Sequence, residues 1–138
     1  MKKIFLSIII LFSFEYSASS HVAHYSKFNY LEYELFRNNK SIGYHKYNFI
    51  RKNETLSIKS EVNFNITKLG VDLYKYYAVS EEVYKNDEFF KFSSKTNQNK
   101  KQKYVNISFD STSNSLIIDG SSYKGKTSKD HIVGTWWN

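Results

Sequence analysis

Leu56-Ser57-Ile58-Lys59-Ser60-Glu61-Val62-Asn63-Phe64-Asn65-Ile66 alternates between two kinds of side chain along its whole length. Leu56, Ile58, Val62, Phe64 and Ile66 fall on one side, with Ser60 the single small polar residue among them. Ser57, Lys59, Glu61, Asn63 and Asn65 fall on the other. A strand sends alternate residues to opposite faces, whereas a helix would scatter this set around its circumference. The stretch therefore reads as a long strand with one face on a core and one in water.

The alternation recurs on both sides of it. Upstream, residues 28–36 set Leu31, Tyr33 and Leu35 against Glu32 and Glu34, and residues 37–40 make a turn. Residues 41–50 form the next strand, with His45, Tyr47 and Phe49 on one side and Gly43 suited to a bend or bulge. Residues 51–54 turn into the opening strand. Downstream, Lys68-Leu69-Gly70 is a tight connection in which Gly70 can take a positive φ. Residues 71–84 are apolar in both registers. Their tyrosines and valines favour a strand covered on both faces over the helix that Glu81, Glu82 and Lys85 would suit. Shorter strands follow at 89–96, 103–109 and 116–119, with a last short segment at Tyr123.

Consecutive strands joined by short polar turns pair with their sequence neighbours, which makes a meander. Long twisted strands curl, so the sheet does not stay flat. The expected fold is all-β: a curved antiparallel meander of seven to eight strands, a half-barrel or open barrel.

The chain has 138 residues, enough for one domain. Its start reads as a secretory leader: Lys2 and Lys3, an apolar run over residues 4–14, then Ser17-Ala18-Ser19-Ser20 with cleavage after Ser19 or Ser20. The apolar run is about half of the ~20 residues a spanning helix needs. Residues 1–20 are thus expected to be a signal peptide and 21–138 a single β domain, with no transmembrane helix after cleavage. Losing Lys2, Lys3 and Glu15 lowers the net charge from +7 to +6. The lysines are spread out, apart from Lys100-Lys101-Gln102-Lys103 at a turn, so no nucleic-acid surface is expected. The absence of cysteine excludes disulfides, a thiol nucleophile and a thiolate metal site. The core must then come from the aromatic residues, which are 18% of the chain.

Residue types that could carry chemistry are few. His21 would be the N-terminal residue after cleavage at Ser20 and could begin a copper site with His24, although a polar lead over residues 21–27 is the simpler reading. His45 alternates with Tyr47 and Phe49 and reads as a hydrogen-bonded wall residue. Glu32 and Glu34 lie opposite the apolar side, and Glu81 and Glu82 point to opposite faces, so neither pair is a working carboxylate dyad. No Gly-x-Ser-x-Gly elbow or phosphate-binding glycine loop is present. No catalytic residue, metal site or cofactor is expected.

The run Tyr33-Glu34-Leu35-Phe36-Arg37-Asn38, then Ile42-Gly43-Tyr44-His45, then Leu73-Tyr74-Lys75-Tyr76, with Asn97 and a closing Trp137-Asn138, resembles a known pattern. It is similar to a family of uncharacterised exported proteobacterial proteins with "YEVYRNG", "IGTH", "YRY", "TNDNGK" and "WN" segments, over roughly residues 30–138. The resemblance implies an envelope protein with a half-barrel sheet, loosely similar to periplasmic lipoprotein carriers. It also implies further strands beyond the tryptophan–asparagine pair, so the chain reads as the larger N-terminal portion. It supplies no activity or catalytic residue.

Function then rests on the aromatic residues. A concave face that no helix covers, lined by tyrosine and phenylalanine, is an apolar trough with hydroxyl tips. The leading expectation is a non-catalytic periplasmic protein holding a lipid or other hydrophobic ligand, with Tyr33, Leu35, Tyr47, Phe49, Val62 and Phe64 as wall residues. An assembly protein docking an envelope partner through its sheet edges is the alternative, and an envelope hydrolase the minor one.

Overall fold

The computed structural model describes residues 25–131. Eight strands follow one another: β1 (Tyr30–Arg37), β2 (Lys40–Lys52), β3 (Thr55–Lys68), β4 (Val71–Lys85), β5 (Glu88–Gln98), β6 (Lys101–Asp110), β7 (Ser115–Gly120) and β8 (Lys124–Ser128). Each pairs antiparallel with the next in a single sheet, in chain order. β1 and β8 do not meet, so the sheet is open. The all-β meander read from the sequence is the fold, with eight strands, and the opening stretch is its third.

Turn chemistry explains the sharp reversals. Asn38-Asn39, Leu69-Gly70, Asn86-Asp87 and Asn99-Lys100 are two-residue connections in which both residues have positive φ. This is the type I′ geometry whose twist matches that of the flanking strands. Asparagine, aspartate and glycine tolerate it best, and only Leu69 and Lys100 depart from that set.

Three bulges bend the sheet. The register slips between Leu35 and Phe36, between Ile66 and Thr67, and between Val83 and Tyr84. Each leaves one extra residue on the partner strand and adds local twist. The first admits Ile42 beside Gly43, as the glycine suggested. A Cβ on Gly43 would fall onto the carbonyl oxygen of Asn63 and 2.6 Å from Phe64 Cα, so β3 can approach this closely only against glycine.

The two faces differ. The inner face carries His45, Tyr47, Phe49, Leu56, Ile58, Val62, Phe64, Glu82 and Tyr84, aligned by the β2–β3 and β3–β4 registers. Tyr47, Phe49, Leu56, Ile58 and Tyr84 form its buried cluster. Ile58 is only 1% exposed, which a flat single-layer sheet could not achieve. The outer face is mainly polar, although Val83 is buried on it opposite Ser57. Lys46 pairs with Glu32 at 3.4 Å, Tyr44 donates to Glu61 at 2.6 Å and Ser57 to Glu81 at 2.8 Å. The solvated Lys46–Glu32 pair adds little stability, and the two part-buried hydrogen bonds satisfy polar groups of this face.

The lead into β1 corrects the sequence reading, which made residues 21–27 merely polar. The Tyr25 ring stacks on Phe49 at 5.8 Å and 9°. The Arg51 guanidinium donates to the carbonyls of Tyr25 and Phe28, each at 2.8 Å, and clamps the lead over that end of the inner face. An aromatic ring in a polar segment gains apolar burial by folding back, and the two charge-assisted bonds hold it there. The expected leader, His21, His24 and the two tryptophans lie outside the described residues.

Candidate functional site

All six residues expected to line the trough stand on the inner face, but they divide between two settings. Tyr47 and Phe49 are 3% and 4% exposed and belong to the buried cluster. Tyr33 sits opposite His45 and Leu35 opposite Gly43 on the edge strand. Tyr33 remains accessible and meets Tyr47 edge-on at 6.2 Å. Val62 and Phe64 are half-buried, opposite Ala78 and Tyr76.

Between these settings lies a polar band. Ser60, the one polar residue on the apolar side of β3, stands across from Ser80 on β4, and Ser80 across from Ser94 on β5. His45 approaches diagonally, with Nε2 2.8 Å from Ser60 Oγ and Nδ1 3.3 Å from the Tyr47 hydroxyl. Burial holds the imidazole below its ordinary pKa and pushes the Tyr47 phenol up, so both stay neutral near pH 7. Neutral histidine has one donor and one acceptor nitrogen, so the chain Tyr47–His45–Ser60 can be satisfied in either tautomer. Glu82 is 2% exposed and accepts from the Tyr84 hydroxyl at 3.1 Å. Glu81, its neighbour, faces outward to Ser57, as strand geometry requires.

A serine bonded to a histidine invites a hydrolytic reading. Acyl transfer also needs N–H donors for the oxyanion. Ser60 lies mid-strand, flanked by Tyr47 on β2 and Ser80 on β4, where the backbone amides are committed to the ladder. Tyr47, His45 and Ser60 thus form a polar chain within an apolar face. Among the described residues, no group of three or more His, Cys, Asp or Glu could hold a metal ion. No described helix is long and apolar enough to cross a membrane.

Beyond the band the inner face opens. Phe64 stacks on Tyr76 at 5.2 Å and on Tyr74 at 5.8 Å, with interplanar angles of 22° and 27°. The three rings form a cross-strand ladder that stays half-buried. Beside it lies a depression of about 300 Å³, lined by Tyr76, Thr96, Lys103, Val105, Ile118 and Tyr123 among others. Lys103 brings a cation to the inner face here, opposite Thr96.

Sequence reasoning found the face, Ser60 and His45. It missed Glu82 as a buried group and the part played by β5 to β7, whose contributions depend on register. Of the remaining histidines, His131 lies near the end of the described chain, 3.0 Å from Thr127.

No curated protein and no solved structure matches the chain. Residues 33–138 match a family described as a domain of unknown function, DUF6134, and the chain belongs to that family.

Proposed function

We propose that the protein is a non-catalytic binding module of the bacterial envelope, exported by its basic and apolar leader, which holds an elongated amphiphile on the open half of its inner face. One observation carries this reading: the same apolar face is sealed at one end and half-exposed at the other, where the Phe64–Tyr74–Tyr76 ladder adjoins a depression. An acyl chain laid along Val62, Phe64, Tyr76, Val105 and Ile118 would remove this apolar surface from water. Each buried methylene is worth about 0.8 kcal/mol. The Lys103 ammonium suits a carboxylate or phosphate headgroup, and the band around Ser60 and His45 can accept a second polar group.

Native mass spectrometry of protein purified from its own envelope tests the reading. The expected result is an adduct whose mass matches an extractable lipid, lost in Phe64→Asp. A clean apo mass with nothing extractable overturns it.

A second reading rests on the edges. The free edge of β1 has no partner strand among the described residues, and the strand exposes Tyr30, Tyr33 and Phe36 on its two faces, the last 61% exposed. β8 is short and bears Lys124 and Lys126, which discourage pairing. An envelope partner adding a strand to β1 would use this asymmetry. In-envelope cross-linking from position 36 would then capture one discrete partner, and scattered products would count against it.

A further inference from the structure

The outer face carries a larger cleft at the open end, about 830 Å³ in volume, within the roughly 300–1,000 Å³ of small-ligand sites. Its walls include Asn63, Asn65, Asp72, Tyr77, Asn97 and Asn99. Asn63, Tyr77 and Asn97 stand in one row across β3, β4 and β5, so the phenol is flanked by an amide on each side. The β5–β6 turn folds in from the end: Asn99 Oδ1 accepts from Lys75 N at 2.7 Å, and Asn99 N donates to Lys75 O at 2.9 Å.

These amides are not explained by the fold. Asparagine is depleted in strands. Asn38, Asn39, Asn53, Asn86 and Asn114 all occupy positive-φ turn positions, which is the ordinary structural use of the residue. Five asparagines stand within described strands, namely Asn48, Asn63, Asn65, Asn97 and Asn106, and three of them meet in this cleft. Asn65 Nδ2 donates to Asp72 Oδ1 at 2.7 Å. A carboxylate can only accept, so this bond fixes the amide orientation and turns Oδ1 away, buried with no donor. An amide oxygen left in that state costs about 1–3 kcal/mol. Stability alone would not select the cluster.

The remaining chemistry narrows the ligand. Tyr77 is 42% exposed, and among the described residues no ring stacks on it, whereas Tyr74 and Tyr76 on the other face stack on Phe64 and on each other. Asp72 and Lys75 neutralise one another at 2.6 Å, so among the lining residues Lys100 alone adds a net charge, and no cluster of cations faces the cleft. A free aromatic ring, flanking groups that both donate and accept, and a single net cation match a polyhydroxylated ligand, whose C–H face packs on the ring while its hydroxyls meet the amides. A nucleic acid would require clustered cations, and an acyl chain would leave the amides unpaired.

We infer that this cleft binds an oligosaccharide, stacked on Tyr77 and held by Asn63 and Asn97. The test is titration of the ¹⁵N-labelled full chain with cellotetraose, maltotetraose and chitotetraose at millimolar concentration. Saturable shifts of the Asn63 and Asn97 side-chain amides are expected with at least one of them. Tyr77→Ala should weaken that binding about tenfold, a loss of ~1.4 kcal/mol, while Tyr77→Phe keeps it and both variants melt as cooperatively as the parent. Should Tyr77→Ala fail to fold, Asn97→Ala takes its place with the same expected direction. The proposal is overturned if none of the three saccharides shifts these amides, or if the shifts persist unchanged in Tyr77→Ala.

Discussion

Two ends of one face are built by the same strands in the same alternation, yet one is a closed core and the other is open. Ile58 and Phe64 lie on the same side of β3; Ile58 is 1% exposed and Phe64 only half-buried. The difference lies in what covers them. At the closed end the lead lays Tyr25 over Phe49, and Phe89 meets Tyr84 edge-on at 5.9 Å and 83°. At the open end, among the described residues, the rings of Phe64, Tyr74 and Tyr76 stack only on one another. A strand's pattern therefore tells which face is apolar, and the segments that fold over it decide how much of that face reaches water.

The largest effect expected from this comparison is on stability. Ile58→Ala should cost about 2–5 kcal/mol in urea unfolding, because a filled core position becomes a cavity. Phe64→Ala should cost less, about 1–2 kcal/mol, since its ring is only partly withdrawn from water and the space it leaves is open to solvent. Equal losses would erase the distinction between the two ends. Next in size, Tyr25→Ala should remove about 1–2 kcal/mol, the stacking and burial of one ring, and raise the hydrogen exchange of β2 amides around Phe49. A neutral outcome would mean that the lead does not close that end.

A smaller effect, opposite in sign, is expected at the open end. Leu69 holds a φ of 52° while 95% exposed, a left-handed conformation that suits Asn far better than leucine. Leu69→Asn should stabilise the β3–β4 turn by about 0.5–1 kcal/mol, read as a higher urea midpoint at constant slope. The smallest effect lies at the border between the ends. Burial holds the folded His45 pKa below its ordinary 6.5, so the unfolded chain takes up a proton first as the pH falls. Stability from this group is complete above the unfolded value and declines as the pH drops toward the folded one, below which it levels off. The urea midpoint of the parent should therefore fall more than that of His45→Gln between about pH 7.5 and 5. Parallel curves would show that His45 does not carry this step.

Much of this architecture was legible because strand alternation and turn chemistry are local. Leu56 to Ile66 names its own face, and Asn38-Asn39 or Leu69-Gly70 names its own turn. What was not legible depends on register or on a single contact. Tyr25 is one ring in a polar segment with no period to announce that it folds back. Ser60 is plainly a polar break, but its approach to His45 follows from a diagonal across β2 and β3. Glu82 reads as one of two adjacent acids, and only the pairing with Ile58 on one side and Phe92 on the other shows how deeply it is set. The amide row of the outer cleft is similarly invisible until Asn63, Tyr77 and Asn97 are placed abreast.

Chain-order pairing has a consequence for how the molecule is made. Among the described residues every strand bonds only to the strand before it and the strand after it, so none of these ladders waits for a distant partner to be synthesised. A chain emerging from its N-terminus can zip one hairpin at a time, each closing a loop of two to four residues at little entropic cost. Wear should follow the same route in reverse. The sheet should peel from its short β8 end while the hairpins around Ile58 hold, so that partial unfolding begins at the strand farthest from the core.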